Sequence, residues 1–355
     1  MTEAATSSRP GGFPISAIVK RALVILVAGA ALYGLAPKLG EVLGAWPHLR
    51  DIRFGWFAAM AVSQAASIVC MAAVQRIAVE TDRWAPVIDS YLAGNAVSKV
   101  VPGGAATAAA LQYAMLVEEG VPAGRAATGM TAGSVIVFGA LLGLNVLALP
   151  LLLLGVNVPS SLLAAAWISA ALLAAIGVLG AFAFGGDGLL RAAGRAGQWV
   201  RNRVRRNAEP LEDLPERLIA ERDDLLMALG ERWWQALLAA AGKWVFDYIT
   251  LLAALAAVGQ HPNAALVLVA YSAAALLGQI PITPGGLGVV EAGLTGSLAL
   301  IGVNGGAAVV ATLAYRLFSY WLQLPAGAVA WALHRRALRA KSSHAGDPRE
   351  PALPG

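Results

Sequence analysis

Long apolar stretches separated by short polar loops dominate the chain. A helix needs about 20 mostly apolar residues to cross the hydrocarbon core of a bilayer. Six stretches predict such spans: about Ala17 to Leu35, Phe54 to Val74, Ala126 to Leu149, Ser161 to Phe184, Trp234 to Val258 and Ala307 to Leu333. The first stretch also fits a signal peptide, but the five spans that follow favour a retained helix.

Two further apolar regions contain helix-breaking residues. The region Ala85 to Leu116 includes V-S-K-V-V-P-G-G, and the region Ala264 to Ile301 includes P-I-T-P-G-G-L-G-V-V-E. Proline removes a helix hydrogen bond, and glycine frees the backbone to turn. We expect each region to form two half-helices that enter the membrane, turn and leave on the same side. A kinked full span is the alternative.

Composition supports the same class of protein. The 355 residues are 58% hydrophobic and 13% charged, whereas soluble proteins carry roughly 25% charged residues. We therefore predict an all-α, polytopic integral membrane protein. The net charge of +5 does not require nucleic acid, because basic residues of membrane proteins collect in cytoplasmic loops.

The distribution of basic residues predicts the orientation. The stretch Arg191–Arg206 holds six arginines and no acid, and the C-terminal tail is also basic. Three loops carry no Lys or Arg: Gly155–Ser160, Gly259–Asn263 and Gly302–Gly306. The positive-inside rule places both termini in the cytoplasm of an inner-membrane protein and these loops outside. The arginine stretch would also attract anionic lipid head groups.

In this orientation the two Pro-Gly-Gly hairpins open to opposite sides of the membrane. The domain at about 17–339 then divides into half one (54–184), a cytoplasmic loop (185–231) and half two (232–334). This layout is typical of transporters with inverted repeats, whose site lies near the midplane. Residues 1–16 and 340–355 are rich in Pro, Gly, Ser and charge, and are predicted to be disordered tails.

Five ionisable residues lie inside predicted spans or hairpins. Such residues usually face the bundle interior or a water-filled cavity, and they predict a polar pathway. Structural alternatives are an ion pair between neighbours on one helix, a snorkelling lysine, and a pair that joins two helices. The five residues are Lys99, Lys243, Asp247, Glu291 and Arg316.

The second motif predicts a turn followed by a half-helix. Pro281 and Pro284 should end one half-helix, and the next should start at about Leu287. Its N-terminus would seat a phosphate, with help from the Thr283 hydroxyl, and would favour the Glu291 carboxylate, which could instead pair with Arg316. A packing turn is the alternative. The glycines that let the backbone turn, together with the first-half motif, complete the predicted gates: Gly285, Gly286, Gly288, Pro102, Gly103 and Gly104.

Other chemistry has little support in the sequence. The four histidines lack the spacing of metal ligands. G-G-L-G-V-V lacks a preceding strand and the third glycine of a dinucleotide loop, and no phosphate-binding loop of an ATPase is present. We expect no cofactor, no metal and no enzymatic activity.

Three motifs resemble the flippase-like transmembrane family, which is the membrane region of lysylphosphatidylglycerol synthases and stand-alone relatives. They are N-A-V-S-K-V-V-P-G-G, P-I-T-P-G-G-L-G-V-V-E-A-G-L and A-Y-R-L-F-S-Y-W-L-Q-L-P-A-G. The resemblance covers about Lys20 to Leu338 and implies movement of a lipid or polyprenyl-linked molecule between leaflets. It draws attention to Pro284, the glycines after it, Glu291 and Arg316.

The chain also departs from the family. Many relatives carry an arginine and a Gly-Glu pair after the first motif. This chain reads P-G-G-A-A-T-A-A-A-L-Q there, without an arginine or a glutamate. Head-group contact from the first half could then come only from Lys99 or Gln112. No aminoacyltransferase domain is expected after Leu338. Two other functions stay open: a secondary transporter of a small polar solute, and a non-transporting partner of a glycosyltransferase or another cell-envelope enzyme.

The orientation can be tested by single cysteines introduced in a Cys70→Ala background. Impermeant reagents should label the loops that lack basic residues and should not reach the arginine-rich loop or the C-terminal tail. External labelling of the arginine-rich position would overturn the orientation. The substitutions are Val156→Cys, His261→Cys and Asn304→Cys outside, and Arg203→Cys and Ser343→Cys inside.

Overall fold

The computed structural model describes residues 54–101, 104–147, 158–184, 230–280 and 283–344, with isolated positions between 149 and 223. All regular structure in this part of the chain is helical. The α-helices are α1 Phe54–Ala78, α2 Trp84–Val100, α3 Gly104–Glu118, α4 Ala123–Val146, α5 Ser160–Phe184, α6 Trp233–Ala257, α7 Ala264–Leu277, α8 Val289–Leu300, α9 Gly305–Arg316 and α10 Gln323–His344.

Four of these helices are long and apolar enough to cross a membrane: α1, α4, α5 and α6. They coincide with four of the predicted spans. Their outward surfaces carry large apolar side chains, including Val62, Trp167 and Leu238, which are each more than half exposed. Such surfaces suit contact with lipid tails. The chain is therefore an all-α membrane protein; the predicted span Ala17–Leu35 and most of the loop 185–231 lie outside the described residues.

The last predicted span is helical but not uniform. Between α9 and α10 lies a π-helical turn, Leu317–Trp321, in which the Leu322 N–H donates to the Leu317 carbonyl at 2.9 Å. Such turns are frequent at functional sites. The helix also continues to His344, into the segment that was predicted to be a disordered tail from 340, because alanine, leucine, arginine and lysine there favour helix.

The predicted helix breaks are present at both Pro-Gly-Gly motifs. Helices α2 and α3 meet at the first motif and pack against each other, and α7 and α8 do so across the second. Within the second motif, Gly285 and Gly286 have φ values of 57° and 70°. Helix α8 starts at Val289, two residues later than predicted, because Gly288, at φ 82°, is also not helical.

An antiparallel pair of helices, α1 and α6, forms the centre of the bundle. The Ser67 hydroxyl donates to the Lys243 carbonyl at 2.9 Å, and Gln64 accepts from the Thr250 hydroxyl at 3.4 Å. Around this pair, α10 packs on α2 and α4 packs on α7. Each broken helix pair is therefore held against a helix from the other half of the chain.

Candidate functional site

The second Pro-Gly-Gly turn meets the first broken helix pair at the centre of the bundle. A Cβ atom placed on Gly285 would lie 2.5 Å from Cε2 of Tyr320 and 3.1 Å from Cα of Lys99. The turn can approach this closely only because Gly285 has no side chain. Its positive φ is a second reason for glycine here.

Lys99 is buried, with 8% of its surface exposed. Its ammonium donates to the Ser319 carbonyl at 2.8 Å and to Gln323 Oε1 at 2.5 Å. The Tyr320 hydroxyl donates to the Lys99 carbonyl at 2.7 Å. Lys99 therefore does not snorkel to the membrane surface, but joins the end of α2 to the π-helical turn and the start of α10.

Arg316 and Glu291 form a mostly buried ion pair, with 2.7 Å between Nε and Oε1. The second carboxylate oxygen of Glu291 accepts the Gly288 N–H at 2.6 Å, and Arg316 also donates to the Gly285 carbonyl at 3.2 Å. Glu291 thus makes both contacts that the sequence offered as alternatives: it caps α8 and it pairs with the arginine of α9.

This arrangement alters the predicted phosphate seat. The Glu291 carboxylate itself occupies the N-terminus of α8, and it would repel a phosphate placed there. The Thr283 hydroxyl donates to the Leu287 carbonyl at 2.8 Å, within the turn. The N-terminus of α8 is therefore occupied by a side chain of the protein itself.

The carboxylate of Asp247 is bound by two tyrosines. The hydroxyls of Tyr271 and Tyr315 donate to Oδ2 at 2.5 and 2.8 Å. The ion pair with Lys243, which the spacing along α6 allowed, is not formed. Tyrosines from α7 and α9 bind the acid instead, and no cation among the described residues lies within ion-pair distance of it.

The ammonium of Lys243 lies over the ring of Trp244, 3.0 Å from its centroid. No described residue accepts a hydrogen bond from it or forms an ion pair with it. Cation–π contact stabilises a charge without using its hydrogen-bond donors. The donors of Lys243 are therefore available to a ligand.

These groups surround a polar cavity of about 310 Å³, here called the central cavity. Four of the five predicted charges line it, and Glu291 is joined to it through Arg316. The lining residues are Gln64, Ser67, Tyr91, Asn95, Ser98, Lys99, Lys243, Trp244, Asp247, Ala275, Gly278, Gln279, Gly285, Val290, Tyr315, Arg316, Ser319 and Gln323.

A larger and mainly apolar groove of about 1000 Å³ lies beside the central cavity. Helices α4, α5, α7 and α8 form its walls, with side chains such as Phe138, Leu162, Ile168 and Leu276. Gln279 lines both spaces. The charged cavity and the apolar groove are therefore neighbours in the bundle, with Gln279 on their common border.

The sequence profile of the lysylphosphatidylglycerol synthase TM region matches residues 18–327. The chain belongs to this family. The match includes both Pro-Gly-Gly motifs and all five predicted charges, and it confirms the resemblance seen in the motifs. No curated protein matches the chain. Membership of the lysylphosphatidylglycerol synthase TM family indicates a membrane-associated function related to lipids.

The structure of this family member brings most of the predicted site residues together. Gly104 begins α3, where a Cβ would lie 2.8 Å from the Ser98 carbonyl, and Pro284 begins the second turn. Pro102, Gly103 and Pro281 lie outside the described residues. Gln112, the other candidate for head-group contact, accepts a hydrogen bond from Gln75 at 3.0 Å and does not line the central cavity.

Sequence reasoning missed the neutral members of the site. Gln323 accepts from both Lys99 and Asn95, and Tyr320 lies between two cations, 4.6 Å from Arg316 and 5.2 Å from Lys99. A signal was present, because Tyr315, Ser319 and Gln323 recur every four residues in an apolar run. That spacing places them on one helix face.

Among the described residues, no group of three or more His, Cys, Asp or Glu side chains could hold a metal ion. The chemistry that the site offers is hydrogen bonding and charge pairing in a cavity enclosed by apolar helices.

Removing the charge of Glu291 should test the buried ion pair. Glu291→Gln leaves the Arg316 guanidinium without its carboxylate, which should lower the free energy of unfolding by about 3 kcal/mol. The double variant Glu291→Gln, Arg316→Gln should recover much of that loss, because no unpaired charge is left. Chemical unfolding in detergent measures both.

The exposed pair Glu80–Arg125, at 3.5 Å, supplies a matched control. Glu80→Gln should cost less than about 1 kcal/mol, since water screens that pair. Equal losses for Glu80→Gln and Glu291→Gln would contradict a structural role for the buried pair.

Proposed function

We propose that this protein moves a lipid or lipid-linked molecule between the leaflets of the membrane, with the central cavity as the path of the head group. The observation that carries the proposal is the position of the cavity. It lies where the two broken helix pairs come close, inside a bundle of apolar helices, and it adjoins an apolar groove through Gln279.

The physical problem of lipid translocation is the head group. Moving a charged or strongly polar group through hydrocarbon without partners is very costly. The central cavity supplies partners of both signs, including Lys99, Asp247 and Arg316. The cavity therefore lowers the free-energy barrier to passage of the head group through the hydrocarbon core, which is the highest barrier that an unassisted lipid meets.

The groove favours a lipid over a small polar solute. A solute transporter needs a polar path closed to the bilayer, whereas a lipid carrier must leave room for acyl chains beside the head group. The groove walls formed by α5 and α8 are mostly apolar, with Leu172 and Leu300 among them. Its contact with the central cavity at Gln279 suits one ligand with a polar and an apolar part.

We propose alternating exposure of the cavity as the mechanism. Helices α1 and α6 are antiparallel, and each is followed by a short loop and a broken helix pair. Re-entrant hairpins after two antiparallel helices would open at opposite ends of the bundle. The reciprocal packing of α10 on α2 and of α4 on α7 further supports an inverted repeat. The two hairpins would then act as opposed gates.

In this proposal the protein is a transporter and not an enzyme. It lies in the cytoplasmic membrane, with both termini and the Arg191–Arg206 stretch on the cytoplasmic side. The gradient of a proton or another ion would supply energy if net transport requires it.

Adding side chains to the second turn should impair translocation. In the variant Gly285→Ala, Gly286→Ala, the new Cβ atoms meet Tyr320 at 2.5 Å and Val290 at 2.7 Å. The positive φ adds roughly 1 kcal/mol of strain at each position. We expect at least a several-fold fall in the rate at which a fluorescent lipid crosses reconstituted vesicles.

Gly139→Ala is the matched control, because nothing lies within 4 Å of a Cβ placed there. It should leave the rate unchanged. Thermal unfolding of each variant separates loss of transport from loss of fold. A wild-type rate in the double variant would exclude the second turn as a gate, and absence of lipid movement by the wild-type protein would contradict the proposed function.

A further inference from the structure

A buried histidine lies between two carboxylates at the end of the bundle where α3 ends. His334, on α10, is 3% exposed. Its Nε2 lies 2.9 Å from Oε2 of Glu118, and its Nδ1 lies 3.7 Å from Oε1 of Glu119. None of the three residues lines the central cavity. His334 also lies beyond residues 18–327, the part of the chain that the family profile matches.

The two ring nitrogens determine which protonation state of His334 fits this arrangement. A carboxylate only accepts hydrogen bonds, and a neutral imidazole has one N–H donor and one acceptor nitrogen. A neutral His334 would therefore turn a lone pair towards one of the two glutamates. An imidazolium has a donor at each nitrogen and satisfies both carboxylates. The arrangement thus fits the protonated form.

The neighbouring charges favour the same form. Arg83, just before α2, lies 2.9 Å from Oε2 of Glu119 and donates to the Glu119 carbonyl at 3.1 Å. With an imidazolium, two cations then face the two glutamates. Asp89 of α2 adds a third negative charge, which interacts with both His334 and Glu119. The other charged residues nearby pair with each other or are exposed: Glu80 with Arg125, and Arg335 and Arg336 on α10.

The cluster extends the contact of α10 with the first broken helix pair. Helix α10 packs along α2, so closely that a Cβ on Gly327 would clash with the Leu92 carbonyl. Nearer the central cavity, Gln323 accepts from Lys99. His334 adds a contact to the end of α3, the second helix of the pair. One helix therefore connects the cluster with the central cavity.

We infer that His334 is a proton-operated latch on the first broken helix pair. With a proton on each ring nitrogen, it holds the end of α3 against α10. Loss of one proton to water, which reaches the 44% exposed side chain of Glu118, leaves one carboxylate without its donor and releases the end of α3. The latch therefore stabilises the closed pair at acid pH and is lost as the pH rises. Its consequence rests on the proposed function: release should speed lipid movement.

Backbone hydrogen exchange of the purified full-length protein in detergent measures the latch without any transport. The amides to follow lie in residues 115–121, where the Val121 N–H donates to the Leu116 carbonyl at 3.0 Å. Their protection relative to an unfolded chain corrects for the intrinsic pH dependence of exchange. Protection in the wild type should fall roughly tenfold between about pH 5 and about pH 8, where histidine normally changes its charge, because a hydrogen bond to a charged group is lost.

Three variants identify the group that responds to pH. His334→Gln should show the weaker protection at both pH values. In Glu118→Gln, the side-chain amide donates as well as accepts, so a neutral imidazole is also held and the pH dependence should largely disappear. Because Glu118 is partly exposed, this variant keeps the test open if His334→Gln does not fold. His261→Gln is the matched control, since His261 is exposed in the loop between α6 and α7 and its loss should leave the wild-type behaviour unchanged.

Equal protection of the wild type at both pH values would overturn the inference, as would a full pH dependence in a folded His334→Gln or Glu118→Gln variant. In the vesicle assay, lipid movement should be several-fold slower at acid pH in the wild type but not in His334→Gln. The same rate at both pH values would contradict the gating role of the latch. Absence of lipid movement at every pH would contradict only the proposed function, because hydrogen exchange reports on the latch by itself.

Discussion

A charge enclosed by apolar helices must have a partner. In this site the constraint has its largest effect through the ion pair Arg316–Glu291. The carboxylate satisfies the first turn of α8 as well as the arginine. The arginine also donates to the Gly285 carbonyl. One pair therefore holds the second Pro-Gly-Gly turn, the start of α8 and the end of α9 in a single arrangement.

The ion pair fixes the position of the second Pro-Gly-Gly turn, and that position determines the other contacts around the cavity. Gly285 lies against Lys99, so half two of the chain contacts half one at its broken helix. The π-helical turn after Arg316 presents the Ser319 carbonyl and Tyr320 to the same lysine. Helix breaks are unfavourable in hydrocarbon unless they are buried in protein or line a cavity. The second turn does both: Gly286 is buried, and Gly285 lines the central cavity.

Much of this arrangement can be predicted from the sequence, because length, apolarity and helix breakers act locally. Such local signals predict the four described spans, the breaks at both motifs and the group of buried charges. They do not predict which side chains bind those charges. Asp247 and Lys243 are one helical turn apart, yet Asp247 is bound by Tyr271 and Tyr315, from helices that are adjacent only in the fold. Neutral polar partners leave no charge pattern along the chain, and Gln323 is indicated only by its four-residue spacing from Ser319 and Tyr315.

In the proposed function, the head group of a lipid passes through the charged cavity from one leaflet to the other. Leaflet-resolved lipid analysis of cells that lack the protein measures this movement in the native membrane. One lipid class should shift between leaflets when the protein is absent. Wild-type protein should restore the distribution, and an Arg316→Ala variant that inserts and folds should not. An unchanged distribution, or full restoration by Arg316→Ala, would contradict the account.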